Sequence, residues 1–240
     1  MDHKLLLEIE KQPDDISCGP TCLRAVYRYF GDDIPISQII NDVESFDEGG
    51  TLAVMLGRDA LRRGYSAVLY TFNLLIFDPT WFNNSDVDLK QKLIAQKRVK
   101  TDPKLQIASD AYIEFLSLGG VIRMEDLTRT LIRKYLKRSI PIIAGLSSTY
   151  LYQESREIGI DGRSDDLEGE PAGHFVVLSG YDQVERQVLV ADPYLLNPIS
   201  GSHHYAVPMD RAVCSILLGI VTYDSNLLII RPGNPYSPAS

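Results

Sequence analysis

Residues 11–33 read KQPDDISCGPTCLRAVYRYFGDD. A polar stretch with two aspartates runs into Cys18, and Gly19 and Pro20 follow it. From there, small or apolar residues fall at Cys22, Ala25, Val26 and Tyr29, the spacing of one helix face. Proline is tolerated in a first helical turn, because its missing N–H has no partner to lose there. Gly31 ends the pattern. The spacing predicts a helix that begins at Cys18. A thiol in that place meets unpaired N–H groups and the positive end of the helix dipole, which together favour its anion. A buried structural cysteine needs no such position. A nucleophile does.

The bulk numbers set the frame. The chain has 240 residues, 45% hydrophobic and 23% charged, enough for one sizeable core. We therefore expect a single domain over residues 1–240, with a helical part over about 1–138 and a sheet part over about 139–232. The formal charge of −8 argues against nucleic acid or an anionic membrane as a partner, since both need clustered Lys and Arg. Three cysteines imply no disulfide framework and suit a reducing compartment. The N-terminal apolar run, Leu5 to Leu7, is too short for a signal-peptide core, and Asp224, Ser225 and Asn226 interrupt the apolar tail segment. A cytoplasmic protein is the expectation.

Along the chain, helices are predicted from Ser37 to about Val43, after a Thr51 cap up to Gly64, in the polar stretch 86–118, and over RMEDLTRTLIRKYLKR (123–138). Strands are predicted at 65–77, at IPIIAGL (140–146), and at HFVVLSGYD (174–182) and QVLVADPY (187–194), the last two joined by a turn. A further helix from Met209 and a strand near Leu227 complete the reading. Residues 147–173 hold Asp161, Asp165, Asp166, Glu168 and Glu170 and read as a long acidic loop. Helices first and strands later give an α+β class.

A nucleophilic cysteine needs a base, and the base needs a group that fixes its tautomer. His174 opens one strand and Asp192 closes its neighbour, so both stand at the outer ends of one antiparallel hairpin. The tetrahedral oxyanion needs donors: the Cys18 N–H, and the side-chain amide of Gln12, six residues upstream. No metal or organic cofactor enters this chemistry.

The segments QPDDISCGPTCL, HFVVLSGYD and VADPY together resemble the bacteriocin-processing (double-glycine) branch of the papain-like cysteine peptidases, family thirty-nine. The resemblance implies a papain-like fold, with Cys18 as nucleophile, His174 as base, Asp192 as orienter and Gln12 as oxyanion donor. It implies cleavage of a peptide or peptide-like substrate through a thioester, here as a standalone domain without a transporter segment. Where many members carry an aspartate before the cysteine, this chain has Ser17. The middle of the chain shows no family signature. The same thioester could instead be passed to an amine, and the fold could serve as a peptide-binding module.

Other residues have plainer readings. Cys22 and Cys214 are expected to be core packing, and His203 and His204 an exposed loop. Trp81 and Phe82 read as anchors into the core before they read as a substrate platform. RTLIRKYLKR (129–138) reads as a solvated helix face.

Overall fold

A computed structural model describes residues 3–46, 50–84, 86–159 and 162–233. The chain opens with β1 (His3–Lys4), α1 (Cys18–Tyr29), α2 (Ile36–Asp42), α3 (Ala53–Arg62) and β2 (Tyr65–Thr71). After a short 3-10 turn at Pro79–Phe82 come α4 (Leu89–Val99), α5 (Pro103–Ser117), β3 (Val121–Arg123), α6 (Arg129–Leu136) and β4 (Ile142–Ser147). The last third holds α7 (Ser148–Tyr152), β5 (Glu157–Ile158), β6 (Arg163–Ser164), β7 (Gly173–Asp182), β8 (Gln187–Ala191), β9 (His204–Pro208), α8 (Met209–Leu218) and β10 (Asn226–Pro232).

One large sheet runs in the order β3-β2-β10-β4-β7-β8-β9, and β1 adds to β7. Its pairs are antiparallel except β2 with β3, which are parallel. On one side α1 packs on β7, α3 on β2 and β10, and α5 on α3; elsewhere α8 packs on β4 and α6 on β7. With helices packed against them, β4 and most of β7 are fully buried. That is why both read as unbroken apolar runs and not as an alternation. Tyr27, Phe115, Leu56, Leu228 and Val177 belong to one continuous core shared by helices and sheet.

The expected division into a helical part and a sheet part is not clean. β2 and β3 come from the expected helical part and form one edge of the main sheet. The helix expected over 123–138 is shorter, because Val121–Arg123 pairs with β2 and Thr128 caps α6 through its side chain at 3.1 Å to the Leu131 N–H. Residues 147–173 are not an unstructured loop. They contain α7 and the small β5–β6 hairpin, with Glu157 bridged to Glu170; Asp161 lies outside the described residues. Among the described residues no helix is long and apolar enough to cross a membrane.

Candidate active site

The first turn of α1 carries no acidic residue, and Ser17 gives no side-chain cap. The positive end of the helix is therefore left to Cys18, which is half-buried. Gly19 lets this end sit against its neighbours. A Cβ there would lie 2.6 Å from the Thr51 methyl and 3.2 Å from the Phe175 ring, so a side chain would force its neighbours to shift.

β7 delivers His174. It pairs with Leu146 on β4, while Val177 pairs with Ala191 on β8. Continuing that register by one residue sets Asp192 opposite Val176, diagonal to His174 on the same face of the hairpin. His174 Nε2 lies 2.9 Å from Asp192 Oδ1. The ring's other nitrogen, Nδ1, is thus the one left for the thiol, and Cys18 lines the same cleft as the ring, close enough to favour its charge. Burial opposes charge on His174, whose side chain is 9% exposed. The charge and hydrogen bond of Asp192, with Cys18 beside it, outweigh burial and hold the imidazolium up to a pKa of about 10.

Asp192 is fully buried. Burial alone would push its carboxyl up, but the His174 charge and the hydrogen bonds of His174, Tyr205 and Tyr152 hold it below the usual carboxylate range. Four donors reach it. The His174 ring and the Tyr194 N–H, at 2.8 Å, meet Oδ1; the Tyr152 hydroxyl, at 2.8 Å, and the Tyr205 hydroxyl, at 2.5 Å, meet Oδ2. The two tyrosines carry no motif spacing, and nothing in the sequence separates them from the other eleven of thirteen. The Tyr152 and Tyr194 rings flank His174, with centroids 6.1 and 6.5 Å from its own.

Gln12 is buried, at 7% exposure, and its N–H bonds the Pro193 carbonyl at 3.0 Å. That ties the loop before Cys18 to the turn after Asp192. Its Nε2 donates to the Asp14 carbonyl at 2.9 Å, which sets the amide's orientation and leaves one N–H in hand. Its Oε1 is buried without a partner, and among the described residues no hydrogen bond joins Gln12 to Cys18. Cys18, His174 and Asp192 are thus brought together, while Gln12 stands behind the same loop.

A cleft of about 270 Å³ opens over the pair. Cys18, Asp15, Ile16, Gly173 and His174 line it, with Phe46, Thr51, Lys104, Thr222 and Asp224 among the remaining lining residues. Asp224 is buried, and its carboxylate accepts from the Ala53 N–H at 2.8 Å and from Asn226. It replaces the Thr51 cap expected for α3; the residue at the cap position is Leu52, which offers no side-chain bond.

Some plainer readings change. Cys22 is core, as expected: its thiol donates to the Phe175 carbonyl at 3.2 Å, and burial first, then Cys18 and Asp192, push its pKa well up. Cys214 is exposed on α8, not packed, because the buried stripe of that helix runs through Met209, Ala212, Ser215 and Ile216. His203 is not a free loop residue. It is half-buried, its Nδ1 lies 2.7 Å from the Asp192 carbonyl, and its own carbonyl takes the Asp192 N–H at 2.8 Å. Trp81 and Phe82 stack edge-on against Phe77 and pack on the core, outside the cleft.

Residues 105–211 match the model of the Peptidase_C39 like family. This stretch holds Tyr152, His174, Asp192 and Tyr205 and begins beyond Gln12 and Cys18. It reaches back through α5, so the middle of the chain does carry a family signature. Comparison with curated proteins finds no match. Among solved structures the chain is similar to a C39-like peptidase from Bacillus anthracis, at 14% identity, covering 98% of this chain and 100% of that one, with a TM-score of 0.50. It is also similar to a double-glycine-motif protease from an AMS/PCAT transporter, solved with the leader peptide, at 15% identity, 97% and 96% coverage and a TM-score of 0.47. The peptidase domain of Streptococcus ComA, a bifunctional ABC transporter of a quorum-sensing pathway, gives 14%, 94% and 98%, and 0.45. The Bacillus anthracis likeness is one of fold, and the α+β papain-like class expected from the sequence holds.

Proposed function

We propose that the chain is a cysteine peptidase that cleaves a peptide amide bond through Cys18, His174 and Asp192. The observation that carries this reading is that Cys18 at the start of α1 and His174 line one cleft, with His174 Nε2 2.9 Å from Oδ1 of the buried Asp192. The match over residues 105–211 supports the same reading. The thiolate attacks the carbonyl carbon, and the C=O electron pair moves onto oxygen. On this reading the oxyanion goes to the Cys18 N–H and to the Gln12 N–H that Asp14 leaves unused. The imidazolium gives its proton to the leaving nitrogen, the C–N bond breaks, and a thioester remains. Water, deprotonated by the now neutral His174, attacks the thioester and releases the acid. Asp192 stays ionised throughout and keeps the proton of Nε2 in place.

A peptide substrate agrees with the leader peptide bound by the AMS/PCAT protease. The test is cleavage of a peptide library by the wild type and by Cys18→Ala. Hydrolysis that disappears in the variant is expected. Equal hydrolysis by both, or labelling of both by a thiol-reactive probe to the same extent, defeats the reading. Amines supplied with the library distinguish acyl transfer from hydrolysis through the conjugates they form.

A further inference from the structure

Asp192 carries more hydrogen bonds than a catalytic orienter needs. One bond, to His174, fixes the imidazole. A second oxygen left bare in a fully buried carboxylate would cost more than the pair returns, because an unsatisfied buried charge has no water to turn to. Two hydroxyls fill that place. Tyr152 comes from the end of α7, just after β4, and Tyr205 from β9, so two separate elements converge on Oδ2.

We propose that Tyr152 and Tyr205 are positioning residues of the catalytic unit, clamping Asp192 Oδ2 so that Oδ1 alone is presented to His174 Nε2. This rests on the peptidase reading for its purpose, though not for its test. With both lone pairs of Oδ2 engaged at 2.8 and 2.5 Å, rotation of the carboxylate would break two bonds at once. The Tyr194 N–H pins Oδ1 from the side, and the His203 ring holds the backbone of Asp192. Burial, and after it the charge of Asp192, push both phenols up, so they remain neutral donors throughout the working range.

The clamp also sets how strongly Asp192 holds the imidazolium. A neutral donor stabilises a bare carboxylate more than one whose charge an imidazolium already offsets. The two hydroxyls therefore temper the rise in the His174 pKa. The charged or titratable groups facing the pair are Cys18 and Cys22 on α1, Asp15 before it, Glu157 on β5, Tyr194 and His203 beside Asp192, Lys104 and Asp224 across the cleft, and the two tyrosines themselves. Tyr→Phe removes one oxygen and leaves the rest of this set in place.

The test is an imidazole NMR titration in the Cys18→Ala background, with the His174 signal assigned by its absence from His174→Ala. Tyr152→Phe and Tyr205→Phe are each expected to raise the His174 midpoint by about half a pH unit, and the double variant by more. An unmoved or lowered midpoint in Tyr152→Phe, with the His3 and His204 signals in their wild-type positions, overturns the proposal. If Tyr205→Phe does not fold, Tyr152→Phe decides the matter alone. The titration uses no substrate, so a chain that cleaves nothing still answers it.

Discussion

Replacing Asp192 by asparagine removes the charge from the centre of the site while keeping its shape. His174 rises from its ordinary 6.5 to about 10, and Asp192 is the main cause of the increase. A rise of that size corresponds to roughly 5 kcal/mol at most favouring the imidazolium in the folded chain, since each unit is worth about 1.4 kcal/mol. The side chain is only 9% exposed, so little of that is lost to solvent screening. A folded pKa above the unfolded one means stability that is fully present below pH 6.5 and is lost as the pH rises through 10. Asp192 sets the lower bound. Its carboxyl is held down, so its contribution is present above the unfolded carboxylate range and is lost as the pH falls through the folded value. Urea unfolding of the wild type and Asp192→Asn at pH 5.5, 8 and 10 reads this directly. The variant should be less stable by about 3–5 kcal/mol at pH 5.5, the cost of breaking a buried pair. That deficit should shrink steadily towards pH 10. A deficit equal at all three pH values would refute the ion pair, whatever the variant did to activity.

Three further outcomes follow from the same geometry. Gln12→Ala should lower kcat about a hundredfold with KM little changed, as loss of one oxyanion donor does, and steady-state kinetics on a cleaved library peptide reads it. Cys22→Ala should keep Cys18-dependent cleavage within a few-fold of wild type and cost about 1–2 kcal/mol in a denaturant melt, because its neutral thiol packs in the core and donates to the Phe175 carbonyl but takes no part in the chemistry. Burial holds the Asp224 carboxyl up at about 7, so the wild type should lose stability as the pH rises from about 4 through 7. Asp224→Asn should lack that loss and gain on the wild type in melts at pH 8 relative to pH 5.

Features that depend on neighbours along the chain can be read before any packing is known. The start of α1 at Cys18 follows from a polar loop, a tolerated proline and a helix-spaced apolar face. The β7–β8 hairpin follows from two apolar runs around a short turn, but it is a bulge between Leu178 and Gly180, marked by no local pattern, that shifts the register by one residue and turns Asp192 to the face of His174. Whatever depends on residues far apart in sequence came from how the elements pack. No local rule marks Tyr152 or Tyr205 as donors to Asp192, since a phenol's partner is fixed by where its element packs and not by its flanking residues. The same holds for Asp224, which caps α3 from 171 residues away, and for β3, a strand only because β2 lies alongside it. Cys214 looked apolar enough to pack, yet the face of α8 that meets the sheet was settled by the sheet. Local periodicity records which residues share a face. It does not record which surface that face will meet.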